Sequence, residues 1–345
     1  MNITRVIAAP TDRPFPVHDG LPERLLTAHD PALPAAGERD ATLAHVLGLC
    51  AGYAYADAPT VSTMMARAGL AGNACAQLTQ VVDAMFIYAS ASLVQSACGR
   101  VLIIAYRGTE LAALGSWLGD LDCGREYLAL RTHDGAIETP RVHAGFHRNF
   151  RALHWEVEQA LSLALQGRSL ADPGQDLAHP LQALFVTGHS LGAAMAELFA
   201  LKLARQGANA AVVSRLRAVY TFGGPMVIGD PFPAQTAARA GARLYRHVIP
   251  ADPVPALPAA AWGHFAHFGQ EYRHADGQWQ RVSQATTQLE RVRELPRAML
   301  AALRGEKQRA AQRYSIAAHG PHQYLAALRP PGRASEFGDM PTESD

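Results

Sequence analysis

The chain has 345 residues, of which 49% are hydrophobic and 18% are charged, and its formal net charge is +1. This composition supports a large buried core and excludes a chain that is disordered as a whole. The near-neutral charge excludes the overall positive field of many nucleic-acid-binding proteins, so we expect no nucleic-acid partner.

The first third of the chain predicts an arm, a helical region and a hairpin. Residues 1–38 are rich in Pro, Asp and Arg and show no clear period, which predicts an extended N-terminal arm. Residues 41–70 have the helical period of apolar positions. Residues 81–94 and 101–106 are strand-like, and the Gly99-Arg100 turn between them predicts a hairpin.

Strands and helices alternate through the middle of the chain. The predicted helices are 147–166 and 191–204, and the predicted strands are 184–187, 216–222 and 243–249. A long helix over 285–313, a last helix from Pro321 and a disordered tail over 330–345 complete the prediction. The alternation indicates an α/β fold with a mainly parallel central sheet and helices on both faces.

Cysteine usage and the N-terminus bear on the compartment. The four cysteines form no Cys-x-x-Cys pair and are too few for a disulfide scaffold, so we expect reduced thiols at Cys50, Cys75, Cys98 and Cys123. The first residues lack the continuous apolar run of a signal peptide, and no window predicts a transmembrane helix. We therefore expect a cytoplasmic protein.

The segment Gly188-His189-Ser190-Leu191-Gly192 matches G-x-S-x-G between an apolar strand and a helix. A serine nucleophile on such a sharp turn needs small residues two positions away on either side, because larger side chains would clash. The N-terminus of the following helix also directs free N–H groups and its positive dipole end to the site. We interpret Ser190 as the nucleophile.

A serine nucleophile needs a base, and the base needs an orienting carboxylate. Asp252 follows the predicted strand 243–249 and begins a proline-rich loop, which suits a rigidly held acid. Asp230, in a Gly-Asp-Pro turn, is the alternative. Both follow strands, and catalytic groups of parallel sheets lie at the carboxyl ends of the strands.

Several motifs occur in the order found in one family. They are Ala105-Tyr106-Arg107-Gly108-Thr109, Ser116-Trp117-Leu118-Gly119-Asp120-Leu121, Val142-His143-Ala144-Gly145-Phe146, the Gly188–Gly192 turn, Thr221-Phe222-Gly223-Gly224-Pro225, and the loop from Asp252 to Pro258. From about residue 84 to residue 328 the chain thus resembles the class 3 lipases, the fungal-lipase-like branch of the α/β-hydrolases. The resemblance implies a lipase domain over 39–329 with an inserted helix at about 285–313.

The resemblance also assigns roles to individual residues. Ser190 and Asp252 match the nucleophile and the acid, and Thr109 matches the oxyanion-hole residue, with the Leu191 N–H as the second donor. Two such donors would stabilise the developing oxyanion by several kcal/mol. The segment after Thr109 matches the family's lid, a short amphipathic helix whose apolar residues here are Leu111, Leu114, Trp117 and Leu118.

The family's base begins the last helix in a pattern like His-x-x-x-x-Tyr. His319 has this spacing to Tyr324, and Pro321 suits the first turn of the helix that follows. His319 is therefore our predicted base, with His322 and His267 as alternatives.

Two further features are open to more than one interpretation. The predicted lid helix either packs its apolar face on the core, which is the simpler alternative, or opens at a lipid–water interface. The helix predicted over 285–313 carries a net charge of +4, from seven Arg or Lys against three Glu. Such a helix either packs its apolar side on the hydrolase or contacts an anionic membrane surface.

His143 and His147 have the i, i+4 spacing of metal ligands on a helix, but Gly145 argues against a helix and no third ligand is evident. We predict no metal and no organic cofactor. The predicted function is that of a serine hydrolase acting on esters of acylglycerols or related lipids. The alternatives are a phospholipase A1, a short-chain carboxylesterase, and a lipid-binding pseudohydrolase without activity. The sequence predicts no oligomeric state.

Overall fold

The computed structural model describes residues 1–8, 17–33, 37–85, 87–108, 125–128, 130–131, 137–205, 207–229, 232–260, 263–288 and 315–337. Its strands are β1 (Asn2–Ile7), β2 (Ala74–Val82), β3 (Ile87–Gln95), β4 (Val101–Tyr106), β5 (Arg125–Tyr127), β6 (Leu130–Arg131), β7 (Ile137–Glu138), β8 (Arg141–His143), β9 (Ala183–His189), β10 (Leu216–Phe222), β11 (Ile228–Gly229), β12 (Leu244–Val248), β13 (Phe265–Ala266), β14 (Gln270–Ala275) and β15 (Gln278–Arg281). Its α-helices are α1 (Leu21–Thr27), α2 (Ala41–Tyr53), α3 (Ala58–Ala68), α4 (Ala144–Leu165), α5 (Leu191–Leu203), α6 (Ala210–Arg215), α7 (Ala234–Gly241) and α8 (Pro321–Leu328).

Within the described part of the chain, a nine-stranded sheet has the order β1-β2-β3-β4-β9-β10-β12-β14-β15. The inner strands β4, β9, β10, β12 and β14 are parallel, and antiparallel strands complete both sides. Every residue of β4 and β9 is buried, which agrees with the unbroken apolar runs typical of parallel strands covered on both faces. The mainly parallel sheet predicted from the sequence is therefore present.

Each face of the sheet has its own apolar core. Helices α4 to α7 contribute to one core, with Phe146, Leu153 and Leu198 among the buried side chains. Helices α1, α2, α3 and α8 contribute to the other core. Because helices cover both faces, the carboxyl ends of the parallel strands are the edge at which loops can build a site.

The N-terminal region differs from the predicted extended arm. Strand β1 pairs along its whole length with β2 in antiparallel register, from Asn2 opposite Thr79 to Ile7 opposite Ala74. Helix α1 buries Leu21 and Leu25 completely in the second core. The pairing partner of β1 lies some seventy residues further along the chain, and local sequence patterns carry no information about such a contact.

Three other predictions differ in detail. The helical region 41–70 is two helices, because Asp57 caps a second helix by accepting a hydrogen bond from the Thr60 N–H. The strand predicted over 81–94 is the end of β2, a 3-10 turn and most of β3. Residues 330–337 of the predicted tail are described, and Glu336 accepts a hydrogen bond from the Tyr53 hydroxyl at 2.7 Å.

Residues 285–288 begin the region predicted as a long basic helix, and they are not helical. Residues 289–313 of that region lie outside the described residues. Among the helices of the described residues, none is both long enough and apolar enough to cross a membrane.

Candidate active site

Ser190 lies on the sharp turn between β9 and α5. Its backbone has φ 60° and ψ −127°, a conformation rare for a residue with a side chain, and the residue is buried. A Cβ on Gly188 would overlap the Gly192 backbone, and a Cβ on Gly192 would overlap the Tyr106 carbonyl. The two glycines of the motif are therefore required by the close approach of the chain to itself.

The Asp252 carboxyl lies in the loop that follows β12 and accepts three hydrogen bonds. Its Oδ1 accepts from the Val254 N–H at 2.9 Å. Its Oδ2 accepts from His319 Nδ1 at 2.9 Å and from the Tyr324 hydroxyl at 2.6 Å. Because a carboxylate only accepts hydrogen bonds, this contact places the ring proton of His319 on Nδ1 and leaves Nε2 as an acceptor. A general base needs this tautomer.

The turn after β10 brings the serine and the aspartate–histidine pair to one edge of the sheet. The Ser190 N–H donates to the Phe222 carbonyl at 3.0 Å. A Cβ on the next residue, Gly223, would lie 2.7 Å from Asp252 Oδ2 and 3.1 Å from His319 Nδ1. Among the described residues, neither Ser190 Oγ nor His319 Nε2 has a hydrogen-bond partner, although both atoms are buried.

The candidate oxyanion donors are described only in part. Leu191 is the first residue of α5, so its N–H has no acceptor within the helix. Gly108 packs on the turn, since a Cβ there would lie 3.0 Å from Ser190 Cβ and would overlap the His189 carbonyl. Thr109, which follows Gly108, lies outside the described residues. The predicted lid residues Leu111, Leu114, Trp117 and Leu118 also lie outside them.

The alternative candidates are placed differently. His322 is exposed in the first turn of α8, and its Nε2 lies 3.1 Å from the Gln323 amide. His267 is part-buried, donates from Nε2 to the Pro255 carbonyl at 2.7 Å, and has its pKa lowered well below 6.5 by burial. Asp230 lies outside the described residues. Of the three histidines considered as base, His319 is the one that contacts Asp252.

Tyr324 entered the sequence prediction only through its spacing to His319, yet it contacts the site directly. The structure buries this tyrosine, and its hydroxyl also accepts from the Ile249 N–H at 3.2 Å. Burial and the neighbouring Asp252 raise the pKa of Tyr324 well above its ordinary value of 10. The phenol therefore stays protonated and donates a hydrogen bond to the Asp252 carboxyl. The five-residue spacing to His319 was the available signal.

His143 and His147 do not converge on a metal site in the described structure. Contrary to the argument from Gly145, α4 begins at Ala144, and the His143 ring caps it by accepting from the Phe146 N–H at 3.4 Å. The His147 ring lies 2.6 Å from the Glu126 carboxylate. No group of three metal-ligating side chains occurs among the described residues.

Comparisons with known proteins agree with this architecture. Residues 103–262 match the family model described as lipase (class 3). A lipase of Rhizomucor miehei is 31% identical over 191 residues, which are 55% of this chain and 46% of that protein. The secreted mono- and diacylglycerol lipase 1 of Fusarium solani is 28% identical over 171 residues, which are 50% of this chain and 43% of that protein. The chain thus spans less than half the length of these relatives.

Two solved structures share the fold. The lipase from Rhizopus microsporus var. chinensis superimposes with a TM-score of 0.54 at 19% identity, covering 81% of this chain and 85% of that one. The Rhizomucor miehei lipase propeptide complex gives a TM-score of 0.52 at 20% identity, covering 81% and 77%. These two structures confirm the α/β-hydrolase fold expected from the sequence, and the match of residues 103–262 supports the resemblance to the class 3 lipases.

Proposed function

We propose that this chain, whose residues 103–262 match the class 3 lipases, is a serine hydrolase that cleaves carboxylic esters of acylglycerols or related lipids. The observation that carries the proposal is the 2.9 Å contact between His319 Nδ1 and Asp252 Oδ2, which leaves Nε2 as an acceptor at the same sheet edge as Ser190. Relatives that are named lipases support the substrate class.

In the proposed reaction, Ser190 Oγ attacks the ester carbonyl while His319 Nε2 accepts the hydroxyl proton. Asp252 holds the ring in its tautomer and stabilises the imidazolium that forms. The Leu191 N–H and Thr109 donate to the oxyanion. His319 then returns the proton to the leaving alcohol, and water hydrolyses the acyl-enzyme by the same steps.

The direct test compares Ser190→Ala with Ser92→Ala. Both changes remove a buried serine hydroxyl that has no partner among the described residues, but Ser92 lies within β3. We expect Ser190→Ala to lower ester hydrolysis by about 10⁴-fold or more, because the nucleophile is lost. Ser92→Ala should stay within about threefold of wild type. Retention of a tenth of the activity in Ser190→Ala would exclude the assignment.

The same purified protein separates the alternatives. Triacylglycerols, phospholipids and short-chain p-nitrophenyl esters distinguish a lipase from a phospholipase A1 and from an esterase. A fluorophosphonate probe reacts with an activated serine, so labelling of wild type and not of Ser190→Ala is expected. Absence of labelling would favour the lipid-binding pseudohydrolase.

Location and lipid contact belong to the same proposal. The three cysteines that the structure describes are free, with Cys50 and Cys75 buried, and burial raises the pKa of Cys75 to about 12. The unpaired, buried thiols of Cys50 and Cys75 support a cytoplasmic location. Peripheral contact with lipid is proposed from the lipid substrate class alone. One relative is named as secreted, so fractionation of the native host tests whether this protein is found in the cytoplasm or outside the cell.

A further inference from the structure

The His189 ring, next to the nucleophile in the chain, links two distant parts of the site. Its Nε2 lies 2.8 Å from the carbonyl oxygen of His319, a residue 130 positions away. Its Nδ1 lies 2.8 Å from the Tyr55 hydroxyl, which comes from the connection between α2 and α3. The ring is buried, and its centroid lies 4.6 Å from that of His319.

The chemistry of these partners determines where the protons lie. A carbonyl oxygen only accepts hydrogen bonds, so His189 Nε2 carries the ring proton and donates it to His319. Nδ1 of the neutral ring is then an acceptor, and the Tyr55 hydroxyl donates to it. Burial and the neighbouring His319 hold the pKa of His189 well below 6.5, so the ring stays neutral and keeps this arrangement.

Tyr55 extends this connection to a third part of the site. A Cβ on Gly108 would overlap the Tyr55 hydroxyl as well as the His189 carbonyl, so the hydroxyl packs directly on the loop that precedes Thr109. The Arg107 guanidinium lies 5.9 Å from the centre of the Tyr55 ring. One tyrosine therefore contacts both the Gly108 loop and the ring that holds His319.

We propose that His189 and Tyr55 are positioning residues, which hold the His319 backbone and the Gly108 loop in register with Ser190. The proposal rests on the proposed ester hydrolysis. Asp252 orients the His319 ring. The ring reaches Ser190 only if the His319 backbone is also correctly placed, and the hydrogen bond from His189 Nε2 to the His319 carbonyl supplies this second constraint. Displacement of a catalytic group by about 1 Å can lower turnover by about 100-fold.

The test uses the full chain with substitutions that separate shape from hydrogen bonding. His189→Leu removes the donor, and we expect kcat to fall about 100-fold while KM changes less than about threefold. His189→Gln keeps an N–H near the position of Nε2, and we expect it to recover at least a tenth of wild-type kcat. Tyr55→Phe removes only the hydroxyl, and we expect about a tenfold loss of kcat.

Tyr245→Phe is the matched control for Tyr55→Phe. It also removes a hydroxyl that pairs with a histidine, here Tyr245 with His29 Nδ1 at 3.2 Å, but near the start of β12 and outside the site. We expect its kcat to remain within about twofold of wild type. Thermal unfolding of each variant establishes that it is folded.

Two results would overturn the proposal. The first is that the wild type is active and the folded His189→Leu variant keeps a kcat within threefold of the wild-type value. The second is a histidine NMR spectrum that shows His189 protonated on Nδ1, or charged, at neutral pH. The spectrum needs no substrate, so a wild type that hydrolyses no ester contradicts the proposed function and leaves the hydrogen bonds of His189 separately testable.

Discussion

His319 and His322 lie three residues apart, but their surroundings differ in every respect that matters to a general base. The His319 ring is buried and donates to the Asp252 carboxyl, whereas the His322 ring is exposed on the first turn of α8. A base needs an orienting carboxylate and a protected position next to the nucleophile. Substitution of His319 and of His322 should therefore affect activity very differently.

We expect His319→Ala to lower ester hydrolysis about as much as Ser190→Ala, and the double variant to lose almost nothing more. Residues that act as one catalytic unit are non-additive in this way. His322→Ala serves as the matched control and should cost less than about tenfold. Steady-state kinetics on one ester measure all four proteins, and a greater loss in His322→Ala would transfer the role to that residue.

At the scale of an element, the turn between β9 and α5 depends on the absence of two side chains. We expect Gly192→Ala to destabilise the protein by about 1–3 kcal/mol, because the new Cβ would overlap the Tyr106 carbonyl. Activity should fall with it, because the turn carries Ser190. Gly37→Ala is the control, as nothing lies within 4 Å of its Cβ position. Denaturant unfolding measures both, and equal stabilities would contradict the steric argument.

The segment that leads into α1 is attached through a pair of buried histidines. His18 Nε2 lies 3.0 Å from His45 Nδ1 in α2, and the Val17 and His18 N–H groups donate to carbonyls at the end of α3. Burial lowers the pKa of His18 to about 4 and that of His45 to about 3, from an ordinary value of 6.5. Both rings are therefore neutral in the folded protein at neutral pH.

This pair makes stability depend on pH with a definite sign. Between pH 6.5 and about 3 these two histidines bind more protons in the unfolded chain than in the folded protein. Their contribution to the free energy of unfolding therefore falls as the pH falls. We expect His45→Leu to reduce this slope and the exposed His179→Leu to leave it unchanged. Denaturant unfolding from pH 7 to pH 4 tests the difference, and identical slopes would exclude a contribution from the pair.

At the scale of the whole molecule, a buried charge cluster ties the second half of the sheet to α5. Arg246 on β12 lies 3.7 Å from the Glu197 carboxylate on α5 and 3.1 Å from the Glu271 carboxylate on β14. Glu271 also accepts from the Thr286 N–H at 2.9 Å. A Cβ on Gly224 would lie 3.3 Å from the Glu197 carboxylate, and one on Gly223 would lie 2.7 Å from the Asp252 carboxylate. The turn after β10 therefore lies between the charge cluster and Asp252.

We expect Arg246→Met to destabilise the protein by about 3–5 kcal/mol, because the buried Glu197 carboxylate would lose its counter-charge and Glu271 would keep only that of Arg273. Glu197→Gln should cost clearly less. The amide oxygen can still accept from the Thr221 hydroxyl, and burial already raises the pKa of Glu197 to about 7, so part of its population is neutral. Unfolding in denaturant at pH 7 compares the two, and an equal or larger cost for Glu197→Gln would contradict this assignment of charge.

Local sequence patterns specify some elements of this fold, and contacts between distant segments specify the others. The strand–turn–helix around Ser190 and the start of α8 at Pro321 were predictable, because glycine spacing, apolar runs and a proline at a helix start are local signals. The edge pairing of β1 and the burial of α1 were missed, because both depend on partners far along the chain. The break between β2 and β3 was missed because no Gly, Pro or Asn marks a turn in residues 81–94, where Asp83 is the only charged residue.

The sequence by itself determined the succession of α4, β9, α5, β10 and β12 and the tight turn at Ser190, whereas α6 and α7 were not predicted. The tertiary structure decided which side chains meet at that turn. Asp252 and His319 are 67 residues apart, and His189 and the His319 carbonyl are 130 apart. Such distances close only when β9, β10 and β12 lie side by side, and the order of strands in a sheet depends on packing across the whole molecule.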